Sequence, residues 1–219
     1  MGLDVEPADE SDMDRLIEIQ FSAFEGDPYH EALYPGDHFS PALRRSARVR
    51  YIQEWREDVS VRWMKCTDRQ TGTICGFAKW NLYETDRPEE EWKKRPLVDW
   101  CSGRNAEVAE NFLYANAAMR EKTWGGRPYS LLNILCVHRD FQRRGAGTLL
   151  VQWGLVHSER VGLPAYLEAS PAGFPLYLKL GFHQIDVCVI KAGDWDGDFD
   201  RHLIAMLKNP HDASSPAVK

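Results

Sequence analysis

Cysteine is scarce and scattered in this sequence: Cys66, Cys75, Cys101, Cys136 and Cys188 are odd in number and include no C-x-x-C pair. That excludes a disulfide framework and offers no metal-ligand spacing, so no bound metal is expected and a reducing, cytoplasmic compartment is the simplest reading. Long apolar runs are missing too. No stretch approaches the roughly 18 apolar residues that a membrane helix requires, and Met1 to Glu10 is acidic where a secretory leader is basic and then apolar. The expectation is a protein neither secreted nor membrane-spanning. Gly2 would suit myristoylation, but the position that should carry Ser or Thr is Glu6. An excess of positive charge is also lacking. The balance of 27 basic against 33 acidic residues, net -6, argues against nucleic acid or an anionic membrane as partner and suits an amine. No internal repeat or low-complexity tract is present.

With 219 residues, 43% of them hydrophobic, the chain can bury a substantial core. One domain over residues 1–208 is expected, followed by a flexible polar tail, NPHDASSPAVK, over 209–219. A short strand at Leu3 to Val5 precedes a helix capped near Ser11 and carrying Leu16, Ile17, Ile19 and Phe24. Pro28 and Pro35-Gly36 break the chain, and Pro41 opens a second helix. Val59 to Cys66 and Thr73 to Tyr83 are rich in β-branched and aromatic residues around a turn at Asp68 to Gly72, which predicts an antiparallel hairpin. Residues 84–128 form a helical insertion in which Val108, Phe112, Ala115 and Met119 recur at helical spacing. After it come an apolar strand (Leu131 to Val137), a helix (Gly145 to Val161), a strand (Ala165 to Ala169), a short helix and a last strand (His183 to Lys191).

The informative stretch is LLNILCVHRDFQRRGAGTLLVQWG, where a strand runs through a two-glycine loop directly into a helix. Near a helix start the backbone N–H groups lack partners and the dipole is positive, so main chain alone can hold a pyrophosphate. Gly145 and Gly147 permit close approach of phosphate oxygens. Arg143 and Arg144 either add charge at the mouth or are solvated surface residues. A Walker A loop would end in G-K-S/T, and a dinucleotide fingerprint needs a third glycine in a repeating βαβ chain. Neither pattern is met.

Gln142-Arg143-Arg144-Gly145-Ala146-Gly147 resembles the signature Q/R-x-x-G-x-G/A of the GNAT superfamily of N-acetyltransferases. Upstream, Leu135-Cys136-Val137 is similar to the family's central strand, with Arg139 where proline is usual. Downstream, Ser170-Pro171-Ala172-Gly173-Phe174-Pro175-Leu176-Tyr177-Leu178-Lys179-Leu180-Gly181-Phe182 is similar to its second cofactor segment. There, Ser170 and Gly173 replace the more frequent Asn and Ala. The resemblance covers residues 3 to 191. It implies an α/β (α+β) single domain, a mixed and mostly antiparallel sheet flanked by helices, with the 84–128 insertion between strands 3 and 4.

The same resemblance implies acetyl-CoA as cosubstrate, held by Leu135, Cys136, Val137, Gln142, Arg143, Arg144, Gly145, Ala146, Gly147, Thr148, Ser170 and Tyr177. A strand N–H near Val137 would polarise the thioester, without a covalent acyl-enzyme. Cys136 therefore reads as a small core residue. Tyr177 matches the tyrosine that protonates the leaving thiolate, and otherwise packs as a core aromatic. For the base, Glu168 is preferred over His138, Asp140 and ordered water, with a carboxylate satisfied by backbone or an arginine as the alternative. Trp80, Trp124 and Tyr83 either line an acceptor pocket or belong to core and rim. The expected reaction is transfer of acetyl to a small primary amine. A protein lysine or N-terminal acetyltransferase and a non-catalytic acyl-CoA sensor are the competing readings, and a homodimer is left open.

Overall fold

A computed structural model describes residues 2–38 and 40–211. The elements in chain order are β1 (Leu3–Pro7), α1 (Met13–Ala23), α2 (Pro28–Leu33), α3 (Pro41–Glu57), β2 (Val61–Asp68), β3 (Thr73–Tyr83), α4 (Glu89–Trp92) and α5 (Arg104–Thr123). They continue as β4 (Tyr129–Val137), α6 (Ala146–Arg160), β5 (Ala165–Ala169), α7 (Phe174–Lys179), β6 (His183–Ile190) and β7 (Arg201–Lys208). The strands form one open seven-stranded sheet in the order β1-β2-β3-β4-β5-β7-β6, and the pairs β1–β2, β2–β3, β5–β7 and β6–β7 are antiparallel. Helices accompany this sheet, as the mixed α/β expectation requires.

Two compact units emerge: residues 1–27, 36–82 and 132–157 form one, and residues 28–35, 83–131 and 158–219 the other. In the first, β3 carries a nearly unbroken buried run from Cys75 to Leu82. Such a run is what a strand covered on both faces needs, rather than strict alternation. On one face Phe77 meets Trp63, whose ring also lies near Tyr51 and Trp55, and buried Lys79 pairs with Glu54 of α3. On the other face Trp80 lies against α6, its indole N–H donating to the Leu150 carbonyl at 3.4 Å. A Cβ on Gly154 would come within 2.2 Å of the Trp80 ring, so this helix packs closely because it lacks a side chain there. Trp80, a candidate for lining an acceptor pocket, is thus a core residue beneath α6, with no exposed surface.

In the second unit α5 buries Val108, Ala109 and Met119 in a core with Tyr129, Leu131, Tyr166, Leu203 and Ala205. The Trp124 ring stacks on Tyr129 at 4.7 Å and 5° and meets Tyr166 edge-on. Two side chains of the 84–128 insertion finish α2: Trp100 donates its indole N–H to the Leu33 carbonyl and Asn105 its amide to the Ala32 carbonyl, each at 2.9 Å. These carbonyls belong to the last turn of a six-residue helix, where no intrahelical donor remains.

The expected hairpin begins at Val61 rather than Val59, because the Val61 N–H bonds back to the Asp58 carbonyl and Asp58 Oδ1 takes the Ser60 N–H, closing a turn ahead of the strand. The expected proline break at residue 28 proves to be the first residue of α2. One strand escaped the sequence reading: β7 lies between β5 and β6 and pairs with both. Residues 212–219, most of the expected tail, lie outside the described residues.

Gly154→Val should force the Trp80 ring or α6 out of place. Overpacking of this kind costs about 2 kcal/mol, so the thermal midpoint should fall by roughly 4–8 °C for a chain of this size. Scanning calorimetry of the variant checks this, and an unchanged midpoint would refute the interlock.

Candidate active site

The first unit carries the loop. β4 ends at Val137, a 3-10 turn spans Arg139–Phe141, and α6 begins at Ala146. Each step of the turn is pinned. The His138 N–H donates to the Cys75 carbonyl at 2.9 Å, tying the end of β4 to β3, and His138 Nδ1 accepts the Asp140 N–H at 3.3 Å. Arg139 stands where the family resemblance would place proline. Its N–H donates to Ser22 Oγ at 3.3 Å and its guanidinium pairs with Glu25, so the turn is held by α1 and by the residue group that follows it. Gln142 then reaches back, its Nε2 donating to the Val137 carbonyl at 3.2 Å. That bond gives the first letter of the glycine signature a physical role: it fastens the loop to the strand that delivers it.

Beyond Gln142 the backbone turns sharply. Arg143 sits at φ 62° and Gly145 at φ 95°, both in the left-handed region. For an arginine that conformation costs on the order of 1 kcal/mol. From Arg143 to Thr148 the backbone N–H groups donate to no backbone carbonyl among the described residues, and the first helical bond is Leu149 N–H to the Gly145 carbonyl at 3.1 Å. Arg143 and Arg144 are exposed and have no carboxylate partner among the described residues, while the Arg144 guanidinium lies 5.1 Å from the Phe141 ring centre. A Cβ built on Gly145 meets nothing within 4 Å. The loop is thus an open cradle of donors with two unpaired cations, and its donor set fits a pyrophosphate.

Ala146 is buried, whereas Gly147 and Thr148 are half-exposed. Leu135 and Val137 are half-exposed, and Cys136 between them is buried, so burial pushes its thiol well above the usual range. That suits the core role assigned to Cys136 and not a nucleophile. Gly76 of β3 faces this stretch: a Cβ there would stand 2.9 Å from the Cys136 carbonyl oxygen.

The second unit carries the remaining candidates. Ser170 follows β5, and both its carbonyl and its Oγ accept the Gly173 N–H, at 3.1 and 3.2 Å, which sets the chain into α7. Tyr177 in α7 is 8% exposed and meets Phe182 edge-on. Gly173, where the family resemblance would place alanine, has a local reason to lack a side chain. A Cβ there would approach the Tyr177 ring to 2.9 Å. Glu168 is 6% exposed at its side chain, and both its oxygens accept from Arg120, Nε at 2.9 Å and Nη2 at 2.7 Å. This is the satisfied carboxylate that the sequence left open. Burial works against the Arg120 charge, but the attraction of Glu168 outweighs it and holds the guanidinium protonated. Trp124 belongs to the core of this unit, and Tyr83 is covered by the Arg87 guanidinium at 3.7 Å.

Sequence reasoning missed Arg120, one residue beyond the apolar position Met119. It also missed Asn133, an amide inside the apolar run of β4. Glu168→Gln should leave the Arg120 charge unpaired and destabilise the fold by about 3 kcal/mol, whereas Arg120→Met combined with Glu168→Leu should recover most of that loss. Chemical denaturation of the three chains decides between this and a functional carboxylate, for which the double variant would fold well and the single variant would unfold no sooner than the parent.

The acetyltransferase (GNAT) family model matches residues 32–182. A curated relative named "Probable acyltransferase SID5", from Ajellomyces capsulatus, is 36% identical over 120 residues, covering 54% of this chain and 82% of that protein. Solved structures of similar fold include a histone acetyltransferase HPA2 and related acetyltransferase from Corynebacterium glutamicum, at TM-score 0.64 and 20% identity with 100% of each chain covered. An arylalkylamine N-acetyltransferase 2 from Aedes aegypti superposes at TM-score 0.67 and 17% identity, covering 95% of this chain and 99% of that one. The two structures speak for the fold, and the family model, spanning well over half the sequence, speaks for the lineage: this chain belongs to the GNAT acetyltransferase family.

Proposed function

We propose that this chain transfers an acetyl group from acetyl-CoA to the primary amine of a small molecule by direct attack. The observation that carries the reading is the run of backbone N–H groups from Arg143 to Thr148, which donate to no backbone carbonyl among the described residues, with the exposed side chains of Arg143 and Arg144 within it and Gly145 keeping it open. Leu135, Cys136 and Val137 offer strand backbone to the rest of the cosubstrate, and the resemblance to the family assigns Ser170 and Tyr177 to it as well. When bound, acetyl-CoA supplies an acetyl carbonyl already activated as a thioester.

The chain's own residues then have three tasks. A strand N–H near Val137 donates to the carbonyl oxygen, which gains charge as the amine nitrogen bonds to the carbonyl carbon. Tyr177 gives its hydroxyl proton to the sulfur as the carbon–sulfur bond breaks. The amine must shed a proton. Glu168 would have to release Arg120 to accept it, so we assign that step to water, with His138 and Asp140 beside the loop as the side chains within the same turn. A net charge of -6 suits a cationic acceptor approaching from solvent. The Aedes aegypti protein of similar fold is by name an arylalkylamine acetyltransferase, which makes phenethylamine a sensible first acceptor.

Calorimetric titration with acetyl-CoA, followed by thiol release with phenethylamine, butylamine and a lysine peptide, tests the whole reading. Micromolar binding with release for a small amine supports it. Release with the peptide alone would move the acceptor to proteins, binding without any release would indicate a sensor, and no binding would refute the loop. Two variants locate the parts. Gly145→Val should abolish acetyl-CoA binding, since it adds bulk in the cradle and strains a left-handed residue. Tyr177→Phe should lower turnover about 100-fold with cofactor affinity largely kept, because the ring that contacts the cosubstrate remains, and unaltered turnover across the pH range would remove Tyr177 from the proton transfer.

A further inference from the structure

Asn133 is the single amide in the apolar run Leu131 to Leu135, and it is only half-buried. An amide on a core strand costs free energy unless its hydrogen bonds are made. Its Nδ2 donates to Asn81 Oδ1 at 3.1 Å. Asn81, 2% exposed on β3, donates its own Nδ2 to Asp58 Oδ2 at 3.1 Å and to Ser60 Oγ at 3.0 Å. Asp58 Oδ1 in turn accepts the Ser60 N–H at 2.8 Å.

The order of donors in this relay has a definite cause. An ionised carboxylate only accepts, so Asp58 compels Asn81 to turn its NH2 group toward it. The Asn81 carbonyl oxygen must then face β4, and Asn133 must answer with its own NH2 group. Reversing either amide would set oxygen against oxygen. The far end of the relay is therefore the Asn133 side-chain oxygen, which has no partner among the described residues. It lies two residues before Leu135, about 7 Å along the strand.

We propose that Asn133 Oδ1 binds the acceptor amine through one N–H and aims its lone pair at the thioester, with Asn81 and Asp58 as positioning residues that fix the amide's orientation. This rests on the amine-acceptor reading above and adds the residue that receives the amine. The chemistry of the end group matters. A neutral carbonyl oxygen accepts from the unprotonated amine and favours ammonium far less than a carboxylate at that place would, which by its charge would stabilise the non-nucleophilic form.

The test uses the full chain, with phenethylamine and butylamine as acceptors and acetyl-CoA affinity measured alongside by calorimetry. Asn133→Ala should lower kcat/KM for the amine about 10- to 100-fold, mostly through KM, with acetyl-CoA affinity within about twofold of the parent. Asp58→Asn should lower it less, since the amides are then free to reverse. Added to Asn133→Ala, it should cause no further loss, because both act through one oxygen. The inference is overturned if Asn133→Ala keeps kcat/KM within twofold, if acetyl-CoA affinity falls in step with turnover, or if the two losses simply multiply. Should the parent chain itself release no thiol with either amine, the amine-acceptor reading fails and this inference fails with it. An active parent with an indifferent Asn133→Ala variant removes the inference alone.

Discussion

Among the described residues, the six backbone N–H groups from Arg143 to Thr148 donate to no backbone carbonyl, and the surroundings of α6 are organised by that shortage. A helix dipole and unsatisfied donors demand an anion, yet the loop must hold its shape before one arrives. The chain meets this by bonding everything except the cradle. His138 is tied to β3, Arg139 to α1, and Gln142 to the end of β4, and among the described residues the donors from Arg143 to Thr148 find no backbone acceptor. The left-handed turn at Arg143 persists because its neighbours over-determine it. Pre-organisation of this sort lowers the entropy lost when a ligand is bound.

Much of this loop could be read without coordinates, because glycine spacing after an apolar strand has few physical explanations. The helix and strand that frame it came within a residue or two for the same reason. What the sequence did not disclose depends on partners far away along the chain. Glu168 on a strand looks the same whether it faces solvent, substrate or an arginine, and Arg120 stands 48 residues away. The link from Asn133 to Asn81 spans 52 residues. No local period encodes such pairs. β7 was overlooked for another reason: it follows the segment that resembles a known family, and RHLIAMLK carries an apolar run without clean alternation.

The two units treat buried charge and buried amides differently from buried hydrocarbon. Lys79 with Glu54, and Arg120 with Glu168, are compact pairs whose separation would leave a charge in a poorly solvated place. The amide relay from Asp58 to Asn133 has a direction, set by a carboxylate at one end. Apolar contacts such as Trp80 against Gly154 set distances instead. Position and polarity in this protein are thus carried by separate sets of side chains.

The completion of α2 by Trp100 and Asn105 bears on how the chain is made. A six-residue helix has too few internal bonds to persist alone, and the side chain that closes its last turn lies 67 residues later in the sequence. During synthesis from the N-terminus, residues 28–33 therefore emerge with no means of staying helical and must wait for the insertion to follow. Shortening that insertion would be felt first as a defect in maturation: a nascent segment left unfinished and open to proteolysis before the finished enzyme ever met its substrate.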